Sequence, residues 1–268
     1  MTKEQRPTIW QVPIYLPYLQ PRLTEEAIDD LQTKIDGKLP VELIELLQLQ
    51  NGGYLRFTGL NGLNERLNGI GPYFPNLLSV DLSVNEGLTI QLDGLVPLDG
   101  DGHWYLCLDY RQNRTHPRIT YINTETDREE NVAGTFAEDL DGLTLARDER
   151  YVVETTQSLD ELVQVLQRIL LTEWTGPDSW AHGYPVYRTK WNDNWIWMSP
   201  NEVPKGFVRK GEDRYEELKE AMNGTALRYP ELSRTAIFLQ LSDGAIGEKL
   251  RQLLTSQGID LTPLSTFL

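Results

Sequence analysis

Cys107 and the three histidines, His103, His116 and His182, are the residues whose chemistry would be easiest to recognise in this chain. A thiolate beside an imidazole can act as a nucleophile. Cys107, however, falls inside the apolar run Trp104–Asp109, where a thiol stays protonated and serves as packing. Each histidine stands alone, without a second ligand at the i, i+4 spacing that puts two imidazoles on one helix face. No metal site is expected from such scattered donors.

Asp99-Gly100-Asp101-Gly102 begins like a calcium loop. Such a loop needs Gly at its sixth position and a bidentate Glu at its twelfth. Here those positions are Trp104 and Tyr110, so the segment reads as an acidic turn entering a strand. Carboxylate pairs such as Asp99 with Asp101, or Glu129 with Glu130, could act as acid and base. Among 40 acidic residues such pairs also arise by chance and are solvated. There is no phosphate-cradling Gly loop followed by Lys-Ser or Lys-Thr, no Gly-x-Ser-x-Gly elbow and no His-Glu-x-x-His helix. A hydrolase built on His182 and scattered carboxylates is the enzymatic alternative. The expectation is a protein that is not an enzyme and takes no cofactor.

Five of the seven tryptophans, Trp174, Trp180, Trp191, Trp195 and Trp197, lie close together. They would form either the core of a small hairpin-based region or a stacking platform for sugars or bases. The net charge of -15 argues against nucleic acid and anionic membranes and favours a basic partner. The charge is concentrated in residues 1–171, which hold 14 Lys+Arg against 27 Asp+Glu. Residues 172–268 hold 11 against 13. With one cysteine and no apolar run behind Met1–Pro7, the reading is a cytoplasmic protein that does not span a membrane.

Several elements must position these residues. Pro7–Pro21 reads as an extended arm on the surface. Thr24 caps a helix with Ile28, Leu31 and Ile35 on one stripe. Leu39-Pro40 opens a second helix, apolar around most of its circumference and expected to be buried on more than one side. Asn51-Gly52-Gly53 ends it and leads to a strand at 54–57. The stretch 59–72, rich in Gly and Asn, reads as a loop. Further strands are expected at 77–82, 88–92, 104–109 and 119–123. Thr135-x-x-Glu138 and Ser158-x-x-Glu161 are capping boxes. A hairpin follows at 186–198, then a helix at 214–222, a strand at 235–241 and a last helix from Asp243. The Gly176-Pro177-Asp178 turn and the change in charge suggest two regions, 1–171 and 172–268.

Three segments, in order, resemble the SUKH superfamily of fungal cell-wall regulators and bacterial toxin-immunity proteins. They are Leu39–Leu47 with Asn51-Gly52-Gly53, Leu95–Asp109 with its Gly-acidic turn and Tyr-Leu-Cys-Leu-Asp strand, and Thr135–Leu140. The closing helix of the family usually carries a second aromatic residue where Leu140 stands. The resemblance covers roughly residues 24–145. It implies an α+β fold, with a mostly antiparallel central sheet and packed helices, followed here by a smaller α+β region that resembles no family. It also implies a non-catalytic protein-binding module, such as an immunity protein that neutralises a basic toxin. The alternative is a regulatory scaffold that docks through the C-terminal region. Candidate contact residues are Asp99, Asp101, His103, Glu129 and Glu130 in the first region, and Trp195 and Trp197 in the second. The partner's identity and the oligomeric state are not legible.

Overall fold

The computed structural model describes residues 9–59, 64–82, 87–145 and 150–268. The chain forms two compact units, Met1–Ala146 and Arg147–Leu268, where charge and turn chemistry had suggested a division after residue 171. The helix Leu159–Leu170 explains the difference. Its stripe of Leu162, Val163, Leu166 and Leu170 is buried together with Ile196, Met198 and Leu239, so it packs with the strands that follow it. Both units are α+β.

In the first unit, α1 (Glu25–Lys34) starts at Thr24, whose hydroxyl accepts from the Ala27 N–H. Glu25 and Glu26 sit in its first turn, where the helix dipole favours them. Helix α2 (Val41–Leu49) buries Leu43, Leu46 and Leu47 but leaves Val41 and Leu49 exposed. It therefore buries one face, not the several expected from its apolar circumference. Strand β1 (Gly53–Gly59) pairs antiparallel with β2 (Asn64–Leu67) and β7 (Thr144–Leu145). Strand β2 lies in the Gly/Asn stretch expected to be a loop; residues 60–63 of that stretch lie outside the described residues.

The turn between α2 and β1 is built on a close approach of backbones. Gly52 has φ +95°, and a Cβ there would lie 2.8 Å from the Gly69 nitrogen and 3.0 Å from the Tyr18 oxygen. Only glycine fits both demands. The buried Asn51 amide donates to the carbonyls of Pro21 (2.6 Å) and Ile70 (2.8 Å), and its Oδ1 accepts from the Ile70 N–H (2.8 Å). The N-terminal arm is not a surface strap. Ile9 and Trp10 are buried in the main core, and the Arg56 N–H donates to the Ile9 carbonyl.

A four-stranded antiparallel meander follows: β3 (Leu95–Gly100), β4 (Trp104–Asp109), β5 (Arg118–Asn123) and β6 (Arg128–Ala133). One face, with Val96, Leu98, Leu106, Leu108 and Ile119, packs with helical residues including Leu43, Leu46 and Phe136. The other face carries Leu95, Tyr105, Cys107 and Ile122 against Leu82, with Val80, Ile90 and Leu92 at its margin. Both faces of β4 are thus covered, as its continuous apolar run implies.

The segments 77–82 and 88–92 are not strands, contrary to expectation. Asn76 and Ser79 bond to each other to form a turn. The Asp127 carboxylate takes the backbone N–H groups of Thr89 and Ile90. The apolar residues there signalled burial under an irregular cover. Helix α3 (Phe136–Gly142) starts at Thr135, whose hydroxyl accepts from the Glu138 N–H. Glu138 turns back to the Gly134 N–H rather than to that of Thr135.

In the second unit the sheet has six antiparallel strands: β8 (Arg150–Val153), β9 (Thr175–Asp178), β10 (Val186–Trp191), β11 (Asn194–Pro200), β14 (Ile237–Leu241) and β15 (Thr262–Pro263). Their order is β9-β10-β11-β14-β8-β15. A separate pair joins β12 (Glu202–Pro204) to β13 (Thr225–Leu227). Helices α4 (Leu159–Leu170, started by the complete Ser158–Glu161 capping box) and α5 (Gly247–Ser256) pack on one face of the six-stranded sheet. The expected helix at 214–222 is a single turn, Tyr215–Leu218, followed by a 3-10 turn. Among the described residues no helix is long and apolar enough to cross a membrane.

Asn51→Ala tests the α2–β1 junction. Removing its amide leaves the Ile70 N–H and two carbonyls without their partner in a buried place, at about 1–3 kcal/mol for each group left unsatisfied. The expected outcome is a loss of at least about 3 kcal/mol in urea unfolding and accelerated amide exchange at Ile70.

Candidate partner-binding surfaces

The five first-unit candidates lie around the β3–β4 and β5–β6 turns, but they do different things. Asp99 faces inward and is 3% exposed. Its carboxylate forms an ion pair with Arg66 at 2.8 Å and accepts from the N–H groups of Glu65, Arg66 and Gly100. It fastens β2 to β3. Burial raises its carboxyl from the ordinary value, against the opposing pull of Arg66 and the amides. Asp99 is therefore an internal strut and not a contact residue.

Asp101 is exposed at the β3–β4 turn and accepts from the N–H groups of His103 (2.8 Å) and Trp104 (3.1 Å). Slight burial raises its carboxyl, but those two amides outweigh the effect and hold it low. His103 Nδ1 lies 2.9 Å from Glu125 Oε1 in an exposed pair. The Thr124 N–H donates to the His103 carbonyl. The two turns thus stand side by side at one end of the sheet. Glu125 joins this group although sequence reasoning missed it, because only the strand register brings residue 125 to residue 103.

Glu129 and Glu130 are neighbours on the edge strand β6 and point to opposite faces. Glu129, opposite Ile122, accepts from Arg111 Nη1 (2.9 Å) and Nη2 (2.6 Å). The same Arg111 bonds Asp109 through Nε and Nη2, each at 2.8 Å. Asp109 also receives Arg118 Nε at 2.7 Å and Thr120 Oγ1 at 3.1 Å. Burial raises the Asp109 carboxyl, but the bonds from Arg111 and Arg118 outweigh it and hold it well below the ordinary carboxylate range. Glu129 is therefore largely committed to this network. Glu130, opposite Tyr121, is exposed. Tyr121 stacks on Trp104 with ring centroids 6.0 Å apart.

What stays available to a partner at this edge is Asp101, Glu125 and Glu130, with His103 among them. The Cys107 thiol beneath is buried, and burial pushes it above its ordinary value, so it acts as packing.

The second-unit candidates sit on the β10–β11 hairpin, whose turn residues Asn192 and Asp193 have φ of 48° and 64°. Ile196 and Met198 point into the core. Trp195 and Trp197 point to the other face, with ring centroids 6.3 Å apart and planes at 27°. Trp195 is 43% exposed. The other tryptophans divide: Trp174 and Trp191 pack against the second core, and Trp180 is exposed.

Trp180, Phe207, Tyr215, Arg209 and Lys210 line a cleft of about 660 Å³. Arg209 is held there by Glu212. His182, the residue of the enzymatic alternative, stacks on Tyr184. Its protonation is disfavoured by burial and then by Arg228, Arg209 and Arg150, with Asp178 opposing.

Two buried carboxylates predict opposite pH behaviour. Asp109 has a lowered pKa, so its contribution is present above about pH 4 and lost as pH falls below that. Asp109→Asn should cost about 3–5 kcal/mol at pH 7, with a smaller difference in acid. Asp139, 8% exposed on α3, is pushed up to about 6 by burial. The folded state then favours its protonated form, so stability falls as pH rises from about 4 to 6. Asp139→Asn should stabilise by up to about 3 kcal/mol at pH 7 and be neutral near pH 4. Urea unfolding across pH checks both.

Residues 25–139 match the family model described as SUKH_6, SMI1-KNR4 cell-wall. No curated protein and no solved structure matches the chain. The matched span contains the Asn51-Gly52-Gly53 junction, the four-stranded meander and the start of α3. Residues 25–139 of this chain form a domain of the SUKH superfamily.

Proposed function

We propose that the protein is a non-catalytic binding module whose SUKH domain captures a basic protein, as an immunity protein captures a toxin. The observation that carries this reading is the acidic edge of the first unit: Asp101, Glu125 and Glu130 are solvent-exposed at the end of the meander. The wider field supports it. Met1–Ala146 holds 11 Lys+Arg against 22 Asp+Glu, while the rest of the chain holds 14 against 18. A surface of one sign speeds encounter with a partner of the other. The cytoplasmic location belongs to the same proposal and rests on the single, buried Cys107. The reading takes no cofactor and no nucleic acid.

A second reading is a regulatory scaffold that also docks through the second unit. The exposed Trp195 on its open sheet face favours it.

The acidic edge is tested by pull-down from native lysate with wild type and with the triple variant Asp101→Lys, Glu125→Lys, Glu130→Lys. These side chains lie at the surface, so the variant should fold. A basic protein should be retained by wild type, released by high salt, and retained at least tenfold less by the variant. Retention of no protein, or equal retention by both, would remove the support for this surface.

A further inference from the structure

Helices α4 and α5 pack on one face of the six-stranded sheet of the second unit. On its other face, one row crosses the strands in register: Thr175 on β9, Arg188 on β10, Trp197 on β11, Gln240 on β14 and Arg150 on β8. The next row pairs Lys190 with Trp195, and the Trp195 N–H donates to Ser242 Oγ.

Further along, the face is closed. Phe238, opposite Ser199 and Val152, is buried beneath Tyr229 and the Arg228 guanidinium, which lies 4.9 Å from its ring centre. The hairpin end has no such cover. Arg188 and Lys190 are exposed there, and the Arg188 guanidinium lies 5.9 Å from the centre of the Trp195 ring. Lys190 is 3.2 Å from Asp193, itself almost fully solvent-exposed. Arg188 forms no ion pair among the described residues.

We propose that this face binds an extended acidic peptide segment of a partner protein, with two acids two residues apart and an apolar residue two positions beyond them. Two features select that ligand. The cations come from the strand face of a chain that is strongly acidic overall, so they mark a local reversal of sign. Arg188 and Lys190 are two residues apart on one strand, about 7 Å, and carboxylates two apart on an extended peptide have the same spacing. The side chain between those carboxylates points away from the sheet, so the apolar contact comes from the residue two positions beyond them, which faces Trp195 or Trp197.

The rings argue for a protein ligand over a sugar. Their planes are tilted by 27°, and Arg188 already lies over one of them, so they form no flat strip for stacking. Trp and Arg together are the residues that dominate protein interfaces, and a guanidinium over an indole offers a carboxylate a two-pronged contact.

This surface belongs to the second unit, and the proposal does not depend on the acidic edge of the first. The probe is a fluorescein-labelled extended peptide, Phe-Ser-Glu-Ser-Glu-Ser-Phe, with Glu and Phe on one face, titrated into the full chain and followed by anisotropy. Peptides with Gln or Lys in place of Glu are the controls, and unlabelled polygalacturonate is the competitor.

The Glu peptide should bind at least tenfold more tightly than either control and weaken with salt. Arg188→Gln and Trp195→Ala should each lower its affinity at least fivefold. Both residues are exposed, and unchanged thermal midpoints would show that the fold is kept. The triple reversal at Asp101, Glu125 and Glu130 should leave peptide binding intact. Absence of binding, equal binding of the Gln peptide, or affinity unaffected by both substitutions would overturn the proposal. Polygalacturonate displacing the peptide at equal carboxylate concentration would also overturn it, in favour of an anionic glycan.

Discussion

The backbone of Asn51-Gly52 passes so close to that of Gly69 that neither glycine has room for a side chain. A Cβ on Gly69 would meet the Asn51 carbonyl oxygen at 2.4 Å, and one on Gly52 would meet the Gly69 nitrogen at 2.8 Å. This contact fixes where α2 hands over to β1 and where the chain returns after β2. The Asn51 amide then ties the same point to Pro21 and Ile70. Gln20, also buried, bonds Tyr73 and Pro75 one step further out. The arm, the helix pair and the 69–76 loop are held at one place, and the meander packs against what they form. A defect here would loosen several long-range contacts together, which local helix propensity could not replace.

The same economy governs charge. A chain with so many acids could be expected to display all of them, yet of those singled out from sequence Asp99 is buried and Glu129 is taken up in an ion-pair network. Asp99 and the Asp109–Arg111–Glu129 network pair each buried carboxylate with a guanidinium and with backbone or hydroxyl donors. Burial of a carboxylate is tolerable only with such partners. Asp139 shows the alternative: with burial as the dominant influence, its carboxyl leans toward the neutral form. The acids left exposed at the end of the meander are Asp101, Glu125 and Glu130.

What was legible in the sequence follows from the range of the signal. Thr24, Ser158 and the apolar stripes of α1 and α4 act within a turn or two, and they appear as expected. The alternation at Trp104–Asp109 gave a strand covered on both faces. Strand β6 was missed because Arg-Glu-Glu-Asn lies at a sheet edge, where polar residues protect the strand from pairing and erase its hydrophobic pattern. The segments 77–82 and 88–92 failed the other way: their apolar residues are partly buried, but side chains of Asn76 and Asp127 take the hydrogen bonds that a ladder would need. The grouping of His103 with Glu125 depends on strand register, which composition does not reveal.

A further asymmetry separates family from function in this chain. Of the residues that carry the SUKH resemblance, Asn51, Gly52, Leu106, Cys107 and Phe136 are buried, while Asp101 in the Gly-acidic turn is exposed. The buried ones satisfy one backbone geometry and one core, and a partner sees none of those. A family of such domains can therefore keep its interior pattern while its exposed acids change freely, each near-neutral for stability. Exposed charges such as Glu125 and Glu130, outside those motifs, cost little to alter and can act on encounter and specificity. On the proposed reading, partner choice would rest on exposed residues outside those buried positions.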